Sequence, residues 1–178
     1  SCRRGSAPAP QRGKEARDRC RTTRRTLIAM DWIEIGSAVP VMPDGLTGLE
    51  VEARSSGVRN VTMLVDRWVD GSERFDAPGE SLLVARDSAS GCVIGVGGLS
   101  RCPDVAGAFR VRRFYVAERW RRRGIARALA RALIDDRSRR CDLLTCNAKA
   151  SGSAAPFWES MGFERVDGID GITHQLPS

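Results

Sequence analysis

Residues 113–133 read RFYVAERWRRRGIARALARAL, and this stretch decides the fold. Apolar and polar residues alternate up to Val116, which predicts a strand that ends there. Apolar residues then recur at every third or fourth position over residues 125–134, which predicts an amphipathic helix. A short loop that contains three consecutive arginines and Gly124 joins the two elements. The stretch therefore predicts a strand–loop–helix unit.

The start of the predicted helix has the chemistry of an anion site. The first turn of a helix presents unpaired N–H groups at the positive end of the helix dipole, and this arrangement suits a phosphate. Gly124 allows a ligand to approach the backbone closely, and Ala126 keeps the first turn uncrowded. Arg121, Arg122 and Arg123 add positive charge beside it. The loop therefore favours a phosphate-bearing ligand, although a run of charges is often only a solvated face.

The rest of the chain alternates strands and helices around this unit. Together with the strand of this unit, seven strands are predicted, at residues 32–35, 81–86, 92–99, 110–116, 142–146, 163–166 and 172–176. Helices are predicted at residues 46–56, 58–69, 125–134 and 154–161. Antiparallel strands followed by a strand–helix–strand crossover indicate an α/β (α+β) protein. We predict a mixed, largely antiparallel sheet of six to seven strands, flanked by about four helices.

The 178 residues carry a formal net charge of +7, and this charge is unevenly distributed. Residues 1–29 contain nine Lys/Arg and two Asp/Glu, whereas residues 30–178 contain 20 of each. The first segment is poor in apolar residues, which predicts a disordered basic arm at 1–29 before a domain at 30–178. Met30 is then either the natural start or the point where a dispensable extension ends. A transit peptide is a weaker alternative.

Composition excludes several other classes of protein. No apolar run approaches the roughly 18 residues that a membrane-spanning helix needs, and no secretory signal is visible. Six cysteines form no CxxC pair, and His174 is the only histidine, so we predict no metal site. Scattered thiols are typical of a reducing compartment, which predicts a cytoplasmic protein. Nucleic-acid binding is an unlikely function and would depend on the arm alone.

Three parts of the sequence together resemble the GCN5-related N-acetyltransferase (GNAT) family. Residues 121–126, RRRGIA, match the family's acetyl-CoA signature Arg/Gln-x-x-Gly-x-Gly/Ala. The preceding strand, RRFYV, resembles the family's fourth strand. The segment AAPFWESMGFE, residues 154–164, resembles its aromatic-aromatic-Glu-x-x-Gly-Phe helix and strand. The resemblance covers nearly 150 residues and implies the acyl-CoA N-acyltransferase fold, with acetyl-CoA as the cofactor.

The resemblance also implies roles for individual residues. Backbone amides of residues 121–126 would hold the pyrophosphate, the edge of the strand would pair with the pantetheine arm, and an N–H near Val116 would stabilise an oxyanion. The residues that it assigns to cofactor binding are Tyr115, Val116, Arg121, Arg122, Arg123, Gly124, Ile125, Ala126, Ser151 and Phe157.

The sequence departs from the family pattern at both proton-transfer positions. The helix tyrosine that serves as the acid in many members is replaced by Trp158, which cannot titrate. The strand glutamate that assists deprotonation in some relatives is replaced by Arg110. We therefore take Tyr115 as the candidate acid and His174 as the candidate base, although a packed tyrosine is at least as good an interpretation of Tyr115 and a lone histidine on a strand is more often structural.

These observations predict an acetyl-CoA-dependent N-acetyltransferase that transfers acetyl directly to a small-molecule amine. A possible homodimer is expected from the family. A CoA-binding regulatory or scaffold domain without turnover is the alternative that Trp158 and Arg110 motivate. Residues 71–80 contain Glu73, Asp76 and Glu80, which would either attract a cationic amine or form a polar connection.

Overall fold

The computed structural model describes residues 26–137 and 141–177, which form one eight-stranded sheet and four α-helices. The sheet order is β1-β2-β3-β4-β5-β6-β8-β7, and every neighbouring pair is antiparallel except β5 and β6. The strands are β1 Thr26–Met30, β2 Ile33–Ser37, β3 Ser81–Asp87, β4 Val93–Arg101, β5 Phe109–Val116, β6 Leu143–Cys146, β7 Glu164–Arg165 and β8 His174–Pro177. The helices are α1 Leu46–Ser55, α2 Asn60–Val69, α3 Ile125–Arg137 and α4 Ala154–Glu159.

The predicted fold class is confirmed, and the sheet has one strand more than the upper count that we predicted. The additional strand is β1, which pairs with β2 along Thr26–Met30. Residues 26–29, which the predicted arm included, therefore belong to the sheet, whereas the division of the chain into an arm and a domain stays a prediction. The remainder of the predicted arm, residues 1–25, lies outside the described residues.

The two faces of the sheet are covered by different helices. Helices α1 and α2 cover one face, where Leu64 and Trp68 of α2 pack with Leu82 of β3. Helices α3 and α4 cover the other face, where Leu129 and Leu133 of α3 are fully buried. These side chains are buried on one face of each helix because the apolar residues recur at every third or fourth position. The molecule is therefore a three-layer structure with a separate core on each side of the sheet.

Two glycines of β4 allow aromatic rings to lie directly on the sheet. A Cβ at Gly97 would lie 2.9 Å from the ring of Phe114, and one at Gly98 would lie 2.3 Å from the ring of Phe75. Real side chains do not approach so closely, so both positions require glycine for packing. The centre of β4 is thus shaped by rings on both faces.

Candidate active site

A β-bulge interrupts β5 at Arg113. The register of β5 against β4 shifts between Val96↔Tyr115 and Gly98↔Arg112, which leaves one extra residue in β5. Arg113 adopts a φ of 55°, a value that non-glycine residues seldom adopt and that is compatible with a bulge. As a result, the side chain of Tyr115 packs in the core under α1 and α2, whereas its neighbour Val116 packs on the opposite face.

Strands β5 and β6 separate just before this bulge. Their last paired residues are Val111 and Cys146, and β5 continues to Val116 without a partner from β6. The amide of Ala117 donates to Ile94 on β4 at 2.9 Å. Because amides alternate along an antiparallel ladder, the amide of Val116 points the other way, toward the gap between the strands. This edge can bind an extended ligand through its backbone.

The loop after β5 leads directly into the N-terminus of α3. Gly124 has a φ of 84°, and no atom lies within 4 Å of the place where a Cβ would stand. Arg122 also has a positive φ, 62°, so the backbone curls sharply before the helix begins. The amide of Ala128 is the first to bond back to Gly124, at 2.9 Å. The amides of residues 124–127 therefore remain available at the helix N-terminus for an anion.

The three arginines of this loop do not share one orientation. The Nε of Arg121 donates to the carbonyl of Val116 at 3.0 Å, and its guanidinium lies 5.3 Å from the ring centre of Tyr115. The guanidinium of Arg123 lies 5.1 Å from the ring centre of Trp120. From the sequence, we expected all three side chains to add positive charge beside the first turn of α3. All three side chains are exposed, and those of Arg121 and Arg123 also contact neighbouring residues.

Tyr115 is held by a carboxylate of α1. Its hydroxyl donates to Glu52 Oε1 at 3.3 Å, and the same oxygen accepts the amide of Glu118 at 2.6 Å. Burial raises the pKa of Tyr115, and although a hydrogen bond to Ser56 opposes this rise, the charge of Glu52 adds to it. The phenol therefore stays protonated at neutral pH, which suits an acid and not a base.

His174 lies on the other side of the sheet, beside α4. Its Nε2 is 3.4 Å from Glu159, its Nδ1 is 2.9 Å from Thr173 Oγ1, and its side chain is buried. Tyr115 packs under α1 and α2, so the structure does not bring the two candidate proton-transfer groups together. A cavity of about 300 Å³ next to His174 is bordered by Lys149, Arg165 and the loop before β8.

The two remaining predicted cofactor residues lie near the start of α4. Phe157 stacks on Phe114 of β5, with ring centres 5.7 Å apart. Trp158, at the position of the missing tyrosine, is buried and packs edge-on against the same Phe114 ring. Ser151 is exposed, and its hydroxyl lies 3.2 Å from that of Ser153. Ile125 is buried in the core, so only its backbone can face a ligand, whereas Ala126 is half-buried.

Sequence reasoning missed several residues that shape this site. The side-chain amide of Asn60 donates to the carbonyl of Phe114 at 3.3 Å, and Glu52 joins α1 to the loop after β5. Glu73, which we considered as an attractor for a cationic amine, instead pairs with Arg112 and Arg113. These contacts join residues between 39 and 66 positions apart, so no local pattern indicates them.

Two features together are typical of an acyl-CoA-binding acyltransferase fold. They are the separation of the parallel strands β5 and β6, and the N-terminus of α3 that follows Gly124. A family model described as "Acetyltransferase (GNAT) domain" matches residues 54–174. The chain belongs to this family, and the resemblance that the sequence indicated is confirmed. It is an enzyme of the acyltransferase class. No match was found among curated protein sequences.

Solved structures with the same fold come from several organisms. A protein of Exiguobacterium sp. 255-15 assigned to the acetyltransferases has 26% identity and a TM-score of 0.73, over 83% of this chain and 94% of that chain. An acetyltransferase from Streptococcus agalactiae 2603 has 13% identity and a TM-score of 0.66, over 84% and 100%. The NatC complex bound to Gag peptide and CoA gives 20% identity and a TM-score of 0.61, over 82% and 98%. The last two likenesses concern the fold alone.

Two features are absent from the part of the chain that the structure describes. Within residues 26–137 and 141–177, no helix is long and apolar enough to cross a membrane. The same residues contain no group of three or more His, Cys, Asp or Glu side chains that could hold a metal ion.

Proposed function

We propose that the protein is an acetyl-CoA-dependent N-acetyltransferase that transfers an acetyl group directly to the amine of a small molecule. The observation that carries the proposal is the continuity of two binding elements, the unpaired edge of β5 and the N-terminus of α3. The edge fits the amide-rich pantetheine arm, and the helix N-terminus fits a pyrophosphate. CoA itself is bound in one protein of the same fold, the NatC complex.

The residues present fit this cofactor. Open space above Gly124 leaves room for phosphate oxygens at the first turn of α3. Phe157 of α4 stacks on Phe114, in the part of β5 that has no partner from β6, and Ser151 precedes α4 by three residues. Bound acetyl-CoA would supply an acetyl group activated as a thioester, whose C–S bond breaks as the C–N bond to the acceptor forms.

Groups of this chain would stabilise the negative charge that develops during the reaction and would transfer the protons. The amide of Val116 would donate to the carbonyl oxygen as negative charge develops there. The phenol of Tyr115 would donate a proton to the departing thiolate. His174 is buried on the opposite face of the sheet, so it would accept the proton that the amine loses only by way of intervening water. Cys146 lies directly opposite His174 in the sheet, but burial raises the pKa of its thiol to about 12, so an acyl-cysteine is not part of the proposal.

A thiol-release assay with acetyl-CoA and an amine panel tests this assignment. We expect Tyr115→Phe to lower kcat about 100-fold with little change in KM, and His174→Ala to lower kcat as well. Because the pKa of Tyr115 is raised above its usual value near 10, the wild-type rate should not fall on the alkaline side until the pH exceeds 10.

Two comparisons separate chemistry from folding in this assay. The thermal midpoint of each variant shows whether it is folded, and Arg131→Gln, an exposed position on α3, serves as the unaffected control. If both Tyr115→Phe and His174→Ala retain the wild-type rate, neither residue transfers a proton. If acetyl-CoA binds but no amine releases CoA, the alternative of a non-catalytic CoA-binding domain is favoured.

A further inference from the structure

Three arginines of β5 project from the same face of the sheet. Arg110 and Arg112 share a face because they are two residues apart, and the bulge turns Arg113 to that face as well. Arg112 and Arg113 both reach Glu73, which lies in the connection between α2 and β3. This is the face covered by α1 and α2, opposite to the α3 and α4 face.

The cluster lies where β5 and β6 separate. Arg110 is opposite Thr145 on β6, and Arg112 is the first residue beyond the last pair, Val111↔Cys146. The guanidinium of Arg110 also approaches Gly171, where a Cβ would stand 3.4 Å from its Nη2. The positive charge is therefore placed at the fork of the two strands, between α2 and the loop before β8.

The charges of the cluster do not balance among the described residues. Glu73 pairs with both Arg112 and Arg113, and its Oε1 lies 3.7 Å from Arg112 Nη1. The Oδ2 of Asp104 lies 3.2 Å from Arg110 Nη2. Three guanidinium groups thus face two carboxylates. Burial lowers the pKa of Arg112, and although Glu73 raises it, the charges of Arg110 and Arg113 lower it further. The group nevertheless stays charged, because an arginine does not lose its proton in a protein.

Several donors of this cluster lack an acceptor. The Nε of Arg110 and the Nε of Arg112 are buried and have no hydrogen-bond partner. The side chain of Arg110 is only 12% exposed, and that of Arg112 is 21% exposed. A buried donor without an acceptor destabilises the folded protein, and more so when the donor is charged. Arg113, by contrast, donates its Nε to Glu73 at 2.7 Å and has a clear structural role.

We infer that Arg112, supported by Arg110, binds an anionic group of the acceptor, so that the acceptor is an amine that also carries a carboxylate. This inference rests on the proposed function and specifies its substrate class. A planar guanidinium fork matches a carboxylate, and one added negative charge balances the cluster. Of the three carboxylates considered for attracting a cationic amine, Glu73 is already paired with arginines.

The length of β5 limits the distance between the amine and the carboxylate. Four residues separate Arg112 from Val116, which is at most about 13 Å along a strand. The acetyl group would lie at Val116, so the amine and the carboxylate of the acceptor must be joined by a chain of several bonds. A linear ω-amino acid such as 6-aminohexanoate satisfies this requirement, whereas glycine is too short.

Matched pairs of amines test the inference in the thiol-release assay. We expect kcat/KM for 6-aminohexanoate to exceed that for hexylamine by roughly 10- to 100-fold, the range of a hydrogen bond to a charged group. Arg112→Gln should remove this preference by raising KM for 6-aminohexanoate at least tenfold, with little effect on hexylamine. Arg112→Lys should have an intermediate effect, because it keeps the charge and loses the fork. The phosphonate analogue of 6-aminohexanoate distinguishes carboxylate from phosphate-like acceptors.

The outcomes separate this inference from the proposed function. If wild type acetylates hexylamine as well as it does 6-aminohexanoate, the inference is wrong and the proposed function stands. If the phosphonate is preferred tenfold over 6-aminohexanoate, the inference that the acceptor carries a carboxylate is wrong. If no amine is acetylated, the proposed function is contradicted, and calorimetric titration decides the inference, which requires 6-aminohexanoate to bind at least tenfold more tightly than hexylamine. Arg131→Gln should leave the preference intact.

Discussion

Replacing Gly124 by valine is expected to raise the Kd for acetyl-CoA about 100-fold. Gly124 has a φ of 84°, a conformation that a β-branched residue adopts only at a cost of about 1–3 kcal/mol. A Cβ there would also project into the open space above the first turn of α3, where the phosphates are proposed to bind. The measurement is calorimetric titration of the folded variant with acetyl-CoA.

Gly57 provides a matched control for this substitution. It has a similar φ of 73° and also has no atom within 4 Å of a Cβ, but it lies between α1 and α2. Gly57→Val should therefore lose stability to a similar extent while it retains the wild-type Kd. Equal weakening of acetyl-CoA binding in both variants would show that strain, and not the position of Gly124, is responsible.

Glu73→Gln is expected to lower the free energy of unfolding by about 3 kcal/mol. The side chain of Glu73 is 9% exposed and that of Arg113 is 7% exposed, so the ion pair is nearly buried. Removal of one charge from a buried pair costs about 3–5 kcal/mol because the other charge is left without compensation. For a protein of this size, the thermal midpoint should fall by roughly 6–12 °C.

The exposed pair Glu118–Arg121 is the comparison for this result. Its side chains are 55% and 45% exposed, and exposed pairs contribute at most about 1 kcal/mol. Glu118→Gln should therefore shift the thermal midpoint by no more than a few degrees. A loss in Glu73→Gln as small as that in Glu118→Gln would contradict the role of Glu73 in holding the bulge of β5.

The parts of the fold that are local in sequence could be predicted well. The helix after Gly124 and the strand before it follow from spacing alone, because each is defined by contacts within a few residues. Strand β1 could not be predicted in the same way, because its apolar residues follow a long basic segment and form a strand only by pairing with β2. Its pairing partner is visible only in three dimensions.

In the candidate site, too, residues that are close in sequence could be predicted, whereas contacts between distant residues could not. Residues 121–126 carry a recognisable pattern, since a phosphate site at a helix N-terminus is built from consecutive residues. The alternation of the segment RVRRFYV breaks at Arg112 and Arg113, but this break alone does not distinguish a bulge from the end of a strand. Glu73 binds Arg113 across 40 residues of sequence, and Glu52 binds Tyr115 across 63. Spacing alone therefore could not show that Tyr115 is tied to a carboxylate.

The most direct test of the proposed enzyme is to follow an isotopically labelled acetyl group by mass spectrometry. The protein is incubated with labelled acetyl-CoA and the amine panel, and both the small molecules and the intact chain are analysed. We predict labelled N-acetyl product in proportion to the CoA released, and no label on any cysteine of the protein. Label that accumulates on the chain, or bound acetyl-CoA that never yields an acetylated amine, would contradict direct transfer.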